Sequence, residues 1–385
     1  MIPILTMGIE EEYLIVERES GDLATDPPPG LLADCRAELG DCVTPEFLKC
    51  QIEIATPVCE TIGEARRHLV AMRSCIKRTA RQYGYDLMAA STHPFANWHG
   101  QRHTDGPRYE KLDADMQGAI RRMLICGMHV HAGVEDPDMR IDLMNQMRYF
   151  LPHLLALSTS SPFWGGHKMG MMSYRTTVWD GMPRNGIPDR FESWGEYERL
   201  CKRLIMAGVI EDSSKIWWDL RPSARFPTLE MRISDVCPRM EDALCIAAIY
   251  VCLLRMLARL RRANMKWRVY PRLLVQENRW LASRYGVNGR LVDLGKGAQT
   301  PFATLLEEIL EIIEEDAVAL DCLEEVHHAL KIVERGTSAS QQLAVYEAAM
   351  QQGASKEEAL KAVVDHLIVE TAADLPDMGS EARCL

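Results

Sequence analysis

Residues 7–17, Met-Gly-Ile-Glu-Glu-Glu-Tyr-Leu-Ile-Val-Glu, decide the fold class of this 385-residue chain. Apolar residues at Ile9, Tyr13 and Ile15 alternate with polar ones, which is the pattern of a strand with one buried face. Because side chains two apart in a strand share a face, Glu10 and Glu12 would lie side by side on the other face. The segment therefore predicts a strand that carries two carboxylates on one side.

Three later segments repeat this alternation, at 48–56, 124–133 and 228–234. Residues i and i+2 of a strand are roughly 6.6 Å apart, so each segment places two polar groups on one face. The pairs, after Glu10 and Glu12, are Gln51 and Glu53, His129 and His131, and Glu230 and Arg232. Ionisable residues on four otherwise apolar strands predict that one sheet face is an active site, because such charges are costly to bury unpaired.

Helical spacing fills most of the remaining chain, including 62–83, 241–262 and nearly all of 302–367. Single crossover helices do not separate the strands regularly, which disfavours a doubly wound parallel sheet. We therefore predict an α+β fold: a largely antiparallel sheet with a concave active-site face, flanked by many helices, with a helical C-terminal region at about 302–372. Residues 1–385 are expected to form a single catalytic domain. The aromatic, glycine-rich stretch 160–195 is interpreted as a functional loop.

Composition restricts the partners and the compartment. The net charge of −11 argues against a nucleic-acid backbone as the main partner. The longest apolar run, 243–260, is interrupted by Arg255 and Arg259, and the N-terminus has no basic start, so neither a membrane span nor a signal peptide is expected. The twelve cysteines include no CxxC pair and are interpreted as reduced. These features predict a cytoplasmic protein that acts on small molecules, without a nucleic-acid or membrane partner.

The paired carboxylates and imidazoles favour a divalent cation. Each pair alone is commonly structural, as a solvated strand end or a cross-strand ion pair, but four together are harder to explain in that way. Oxygen-rich ligands with one or two imidazoles favour Mg²⁺, or alternatively Mn²⁺, over zinc. Arg175, Arg221 and Arg232 would bind phosphate or carboxylate. The HxH pair also leaves open a metal-dependent hydrolase or oxygenase, although no third histidine matches it.

The ordered series of motifs resembles the bacterial carboxylate–amine ligases known as type 2 glutamate–cysteine ligases. The resemblance covers nearly the whole chain, and no Walker-type phosphate loop or GxSxG elbow competes with it. The matching segments are GIEEEYLIV (8–16), QIEIATPVCET (51–61), STHPF (91–95), GMHVHAGV (127–134), SSPFWGG (160–166), MMSYRT (171–176), WWDLRPS (217–223), PTLEMRISD (227–235) and ENRWLASRYG (277–286).

The resemblance implies an ATP-dependent ligase that forms an amide through an acyl phosphate, with glutamate–cysteine ligation as one candidate activity. It implies a sheet akin to that of glutamine synthetase, Mg²⁺ as cofactor, and a homodimer. The implied metal ligands are Glu10, Glu12, Glu53, His129 and Glu230. The implied catalytic residues are Glu53, Arg175, Arg221 and Arg232, and Glu12 with the same three arginines would hold the nucleotide. Trp164, Tyr174 and Arg175 would contact the substrate.

One segment departs from the family pattern. Relatives resemble GTGADRQR where this chain has Gly336-Thr-Ser-Ala-Ser-Gln-Gln-Leu343, so Gln341 and Leu343 replace two expected arginines. This departure keeps a second hypothesis open, in which the chain binds nucleotide and regulates a partner without catalysis.

Overall fold

The largest sheet has seven strands, and every strand pairing within it is antiparallel. The computed structural model describes residues 5–376. From one edge to the other its strands are residues 220–222, 228–231, 128–133, 7–17, 51–55 and 43–45, and a strand at 85–88 pairs with the second half of strand 7–17. The strands are β1 (Met7–Glu17), β2 (Val43–Pro45), β3 (Gln51–Ala55), β4 (Tyr85–Met88), β5 (Met128–Gly133), β6 (Phe163–Trp164), β7 (His167–Lys168), β8 (Asn185–Gly186), β9 (Trp217–Trp218), β10 (Leu220–Pro222), β11 (Thr228–Met231), β12 (Arg290–Asp293) and β13 (Ala298–Pro301).

The register of the sheet brings the predicted polar pairs opposite one another. Glu12 lies across from Glu53, and Glu10 lies across from His129. Glu230 lies across from His131 on the other side of β5. Four strands that are distant in sequence therefore contribute neighbouring side chains to one face.

Helices pack around the sheet and make up most of the rest of the described chain. They are α1 (Pro29–Leu39), α2 (Ile62–Gln82), α3 (Pro107–Met116), α4 (Gly118–Arg121), α5 (Pro137–Met147), α6 (Leu151–Ser158), α7 (Tyr174–Trp179), α8 (Trp194–Met206), α9 (Met240–Arg262), α10 (Arg272–Tyr285), α11 (Phe302–Ala319), α12 (Leu323–Arg335), α13 (Ser338–Gln351) and α14 (Lys356–Ala372). The α+β prediction is confirmed, and α11–α14 confirm the predicted helical region. The single-domain prediction for 1–385 extends beyond the described residues and stays a prediction.

The apolar sheet face packs on α2 and α9. Ile9, Val130 and Met231 are buried there, as the alternation predicted. Glu11 lies on this same face and is also fully buried, where the guanidinium of Arg73 in α2 donates to both of its carboxylate oxygens. A buried ion pair thus lies between the sheet and α2, a feature that the sequence analysis did not predict.

Helix α9 is long and apolar enough, by length and composition alone, to cross a membrane. In the structure it packs against α2, α5, α6, α11 and α12, and every residue from Asp242 to Leu254 is buried. Burial inside the protein explains this apolar composition, since a helix that is hydrophobic on all sides is typical of a large core.

The segment 137–158 forms two helices that are separated by a short break. Helix α5 ends at Met147, and α6 begins at Leu151 with Pro152 in its first turn. Proline fits the first turn of a helix because an N–H group there has no intrahelical acceptor, so its absence costs nothing. The break between the two helices therefore precedes the proline.

Candidate active site

Glu10 is held between the two histidines of β5. Its carboxylate lies 3.1 Å from His129 Nδ1 and 3.2 Å from His131 Nε2. Burial raises the pKa of Glu10, but its contacts with His129 and His131 outweigh burial and leave the pKa well below the usual range. Burial lowers the pKa of His129 to about 4, with a further contribution from the charge of Arg232. Glu10 is therefore anionic and His129 neutral at pH 7, which are the forms that bind metal.

Glu12 and Glu53 form a pair of neighbouring carboxyl groups on β1 and β3. Glu12 accepts a 2.7 Å hydrogen bond from the Gly127 N–H, and Glu53 accepts a 3.0 Å bond from the Thr44 hydroxyl. Burial, with the charge of Glu53, raises the pKa of Glu12 to about 7. Burial, with the charges of Glu46 and Glu10, raises the pKa of Glu53 to about 8. Two carboxylates in this state lack compensating positive charge, which a divalent cation would supply.

Glu230 is the centre of an arginine cluster. Arg221 Nε and Nη2 donate to its two oxygens at 2.9 and 3.1 Å, and Arg232 also donates to it. Burial raises the pKa of Glu230, but Arg232 and Arg221 outweigh it and hold the pKa far below the usual range. Arg221 additionally donates to the carbonyls of Ser214 and Ile216, both at 2.7 Å. In this structure Arg221 therefore fixes Glu230.

These side chains form two potential metal sites that share His129. One group is Glu10, His129 and Glu230, and the other is Glu12, Glu53 and His129, with ligand atoms within 4.8 Å of one another in each. All five predicted metal ligands are therefore brought together. Carboxylate oxygens with one imidazole fit Mg²⁺ or Mn²⁺. The buried Nε of Arg232 has no hydrogen-bond partner among the described residues, and its guanidinium lies next to Glu230 and His129.

Arg175 lies beside the cluster but bonds to backbone. Its guanidinium donates to the carbonyls of Arg232 and Ile233 at 3.1 and 3.2 Å. It packs so closely on Gly127 that a Cβ there would lie 2.4 Å from Nη2. Arg175 thus fixes the end of β11 against the start of β5, and its predicted contact with phosphate or substrate stays a prediction.

The aromatic pair Trp164 and Tyr174 is formed, with ring centroids 5.8 Å apart. Tyr174 immediately precedes Arg175 in α7, and its backbone N–H donates to the Ser161 carbonyl. Their predicted role in substrate binding stays a prediction.

Segment 336–343, whose sequence departs from the family pattern, packs against the loop that follows α6. Gln342 donates to the Ser160 carbonyl at 2.8 Å, and the Thr337 hydroxyl lies 2.8 Å from that of Thr159. Gln341 and Leu343 are half-buried in α13. The two replacements therefore lie next to the loop whose Ser161 holds the backbone N–H of Arg175.

Several contributors to the site were not predicted. The Trp179 ring lies 5.8 Å from the Arg232 guanidinium carbon, and His131 Nδ1 bonds the Thr228 hydroxyl at 2.9 Å. Thr44 and Gly127 each hold one carboxylate, as described above. Among these residues, His131 had a sequence signal, its position in the HxH pair. Contacts such as that between Thr44 and Glu53 could not be predicted because they depend on the register of the sheet.

Metal affinity should depend on pH through Glu12 and Glu53. Because their pKa values are raised to about 7 and 8, protons compete with the cation below those values. We expect Mn²⁺, titrated by electron paramagnetic resonance, to bind at least about tenfold more weakly at about pH 6 than at about pH 8. An affinity that does not change over this range would contradict a site built on these two carboxylates.

Two solved structures share this fold. A bifunctional glutathione synthetase from Pasteurella multocida matches with a TM-score of 0.70 and 16% identity, over 96% of this chain and 53% of that one. A glutamate–cysteine ligase from Francisella tularensis, solved in complex with AMP, matches with a TM-score of 0.66 and 16% identity, over 97% of this chain and 90% of that one. At this level of identity the two matches show a shared fold.

The chain belongs to glutamate–cysteine ligase family 2, whose model matches residues 6–366. A relative from Rhodospirillum rubrum, named "Putative glutamate--cysteine ligase 2", is 56% identical over 377 residues, which cover 97% of each chain. The family assignment confirms the resemblance drawn from the motifs. The protein is an ATP-dependent ligase that forms C–N bonds.

Proposed function

We propose that this protein joins the carboxylate of a small acid, an amino acid in the simplest case, to an amine with the consumption of ATP and with Mg²⁺ as cofactor. The observation that carries the proposal is the convergence of Glu10, Glu12, Glu53, His129 and Glu230 on one sheet face. Family membership supports the reaction class, and the pair of glutamate and cysteine is the first candidate pair of substrates.

The proposed reaction has two steps. The acid's carboxylate oxygen attacks the γ-phosphorus of ATP, which releases ADP and forms an acyl phosphate. The amine nitrogen then attacks the acyl carbon, inorganic phosphate leaves, and the nitrogen loses a proton to give the amide. Mg²⁺ held by the five ligands would neutralise the negative charge of the phosphates during transfer.

The residues of the chain would position the reactants. Arg232, with its free Nε, is the guanidinium best placed to bind a phosphate oxygen. Arg221 would act mainly by holding Glu230, because its donors are committed to that carboxylate and to two carbonyls. A closed pocket that binds both substrates supplies proximity and keeps water from the acyl phosphate. Assembly as a homodimer and a cytoplasmic location stay predictions.

A coupled assay of ADP release tests the proposal directly. We expect ADP formation with Mg²⁺ to require both an acid and an amine, across a panel of amino-acid pairs that includes glutamate with cysteine. Mass spectrometry should detect the amide in the same samples. ADP release in the absence of both substrates would contradict ligation, and ATP binding without turnover across the panel would support the regulatory alternative.

A further inference from the structure

A cleft of about 300 Å³ lies between α5, α8 and the turn that joins β10 to β11. We call it the Arg140 cleft. Its walls include two arginines and three aromatic side chains, namely Arg140, Arg225, Trp194, Tyr197 and Phe226. None of these residues belongs to the metal cluster.

Arg140 is a buried cation without an anionic partner. It is 8% exposed, and no carboxylate of the described chain is hydrogen-bonded to its guanidinium group. Its buried Nε has no hydrogen-bond partner among the described residues, and Nη2 makes only a 3.5 Å contact with the Glu135 carbonyl. The guanidinium lies 4.8 Å from the Trp194 ring. A buried guanidinium with free donors is costly unless something binds it.

Two other buried arginines of the protein, by contrast, are paired with carboxylates. Arg73 is paired with Glu11, and Arg279 is paired with Asp219 and Asp180. Although burial opposes the charged form in both, these carboxylates raise the pKa of each guanidinium. In Arg140, burial instead lowers the pKa, and the more distant charges of Glu135 and Asp136 do not compensate. The chain thus leaves a positive charge in the cleft for a ligand to neutralise.

The cleft is adjacent to the catalytic face. Phe226 packs edge-on against His131, with ring centroids 6.4 Å apart. Ser213 lines the cleft, and the next residue, Ser214, accepts a hydrogen bond from Arg221. A ligand in the cleft would therefore contact segments that hold Glu10 and Glu230.

We propose that the Arg140 cleft binds a small organic carboxylate, with the guanidinium groups of Arg140 and Arg225 on the carboxylate and the aromatic walls around an apolar body. The fork of a guanidinium fits two carboxylate oxygens, and the aromatic walls favour an organic body over free phosphate. Glu198 also lines the cleft, but it is exposed and pairs with Lys202 at 2.9 Å, which reduces its repulsion of an anion. This inference is independent of the proposed ligation reaction.

Isothermal titration calorimetry of the full chain with phenylacetate tests the proposal, with neutral phenylacetamide and inorganic phosphate as comparison ligands. We expect phenylacetate to bind more tightly than the two comparison ligands. Arg225→Gln, a substitution at an exposed residue, should weaken phenylacetate binding about tenfold, the effect of losing one charged hydrogen bond. Arg140→Met should weaken it further. Arg203→Gln, an exposed arginine on α8 outside the cleft, is the matched control and should change nothing.

The variants separate this cleft from the catalytic face. Phenylacetate binding that survives Glu53→Gln and is lost in Arg225→Gln would support the Arg140 cleft. Binding that is lost in Glu53→Gln and unchanged in Arg225→Gln would overturn it, as would equal affinity for phenylacetamide or preference for phosphate. If Arg140→Met fails to fold, Arg225→Gln alone still decides between these outcomes.

Discussion

Glu53→Gln should lower kcat for ligation on the order of 10³-fold, the scale at which removal of one electrostatic stabiliser acts. The substitution keeps the size of the side chain and its ability to accept the hydrogen bond from Thr44, but removes the negative charge that would hold the cation. Coupled ADP release with saturating substrates measures the effect. Glu17→Gln at the exposed end of β1 is the matched control and should retain full activity.

The same variant should be more stable than the natural protein when no metal is present. The pKa of Glu53 is raised from 4.5 to about 8 by burial and by the charges of Glu46 and Glu10, so ionisation of Glu53 destabilises the native state as pH rises through this range. Glutamine does not ionise. Urea unfolding should show a stability gain for Glu53→Gln that is absent at about pH 4 and grows towards about pH 8. Full activity, or a loss of stability at high pH, would contradict the role assigned to this carboxylate.

Arg73→Met should destabilise the protein by about 3–5 kcal/mol, because it leaves the Glu11 carboxylate buried without its partner. Both side chains are fully buried, and Arg73 also donates to the carbonyls of Cys237 and Pro238 at 3.0 and 2.6 Å. Urea unfolding measures the loss. Arg73→Lys keeps the positive charge but has fewer hydrogen-bond donors, so its stability should lie between those of the natural protein and of Arg73→Met. It provides a measurement if the methionine variant does not fold.

A double variant identifies the cause of this loss. Arg73→Met combined with Glu11→Leu removes both charges, so it should recover part of the stability that the single substitution loses. A single variant that loses less than about 1 kcal/mol, or a double variant that is no more stable than the single one, would show that the pair contributes little.

Alternation was sufficient to predict the central strands because it reports local geometry. Ile9, Val130 and Met231 point to the core, and Glu10, His129 and Glu230 point away from it, as the period of two requires. Which strands become neighbours depends on contacts between distant segments. The sequence motifs indicated the order of the strands only through the resemblance to a known family.

Partners that come from distant elements could not be predicted from the sequence. The partner of Glu11 is Arg73, which lies 62 residues away in α2, and no local pattern connects the two. The arginines illustrate the same limit. The ligand contacts predicted for Arg175 and Arg221 stay predictions, whereas the backbone carbonyls to which both guanidinium groups donate could not be identified from the sequence.

The order of the strands in the sheet has a consequence for how the protein folds during its synthesis. Strand β1 leaves the ribosome before β5, and His129, which bonds Glu10, follows Glu10 by 119 residues. Such non-local pairing requires closure of a long loop, which slows folding. A nascent chain that ends before β5 therefore keeps an unpaired β1 edge, and we expect this intermediate to need protection from aggregation until β5 and β11 are available.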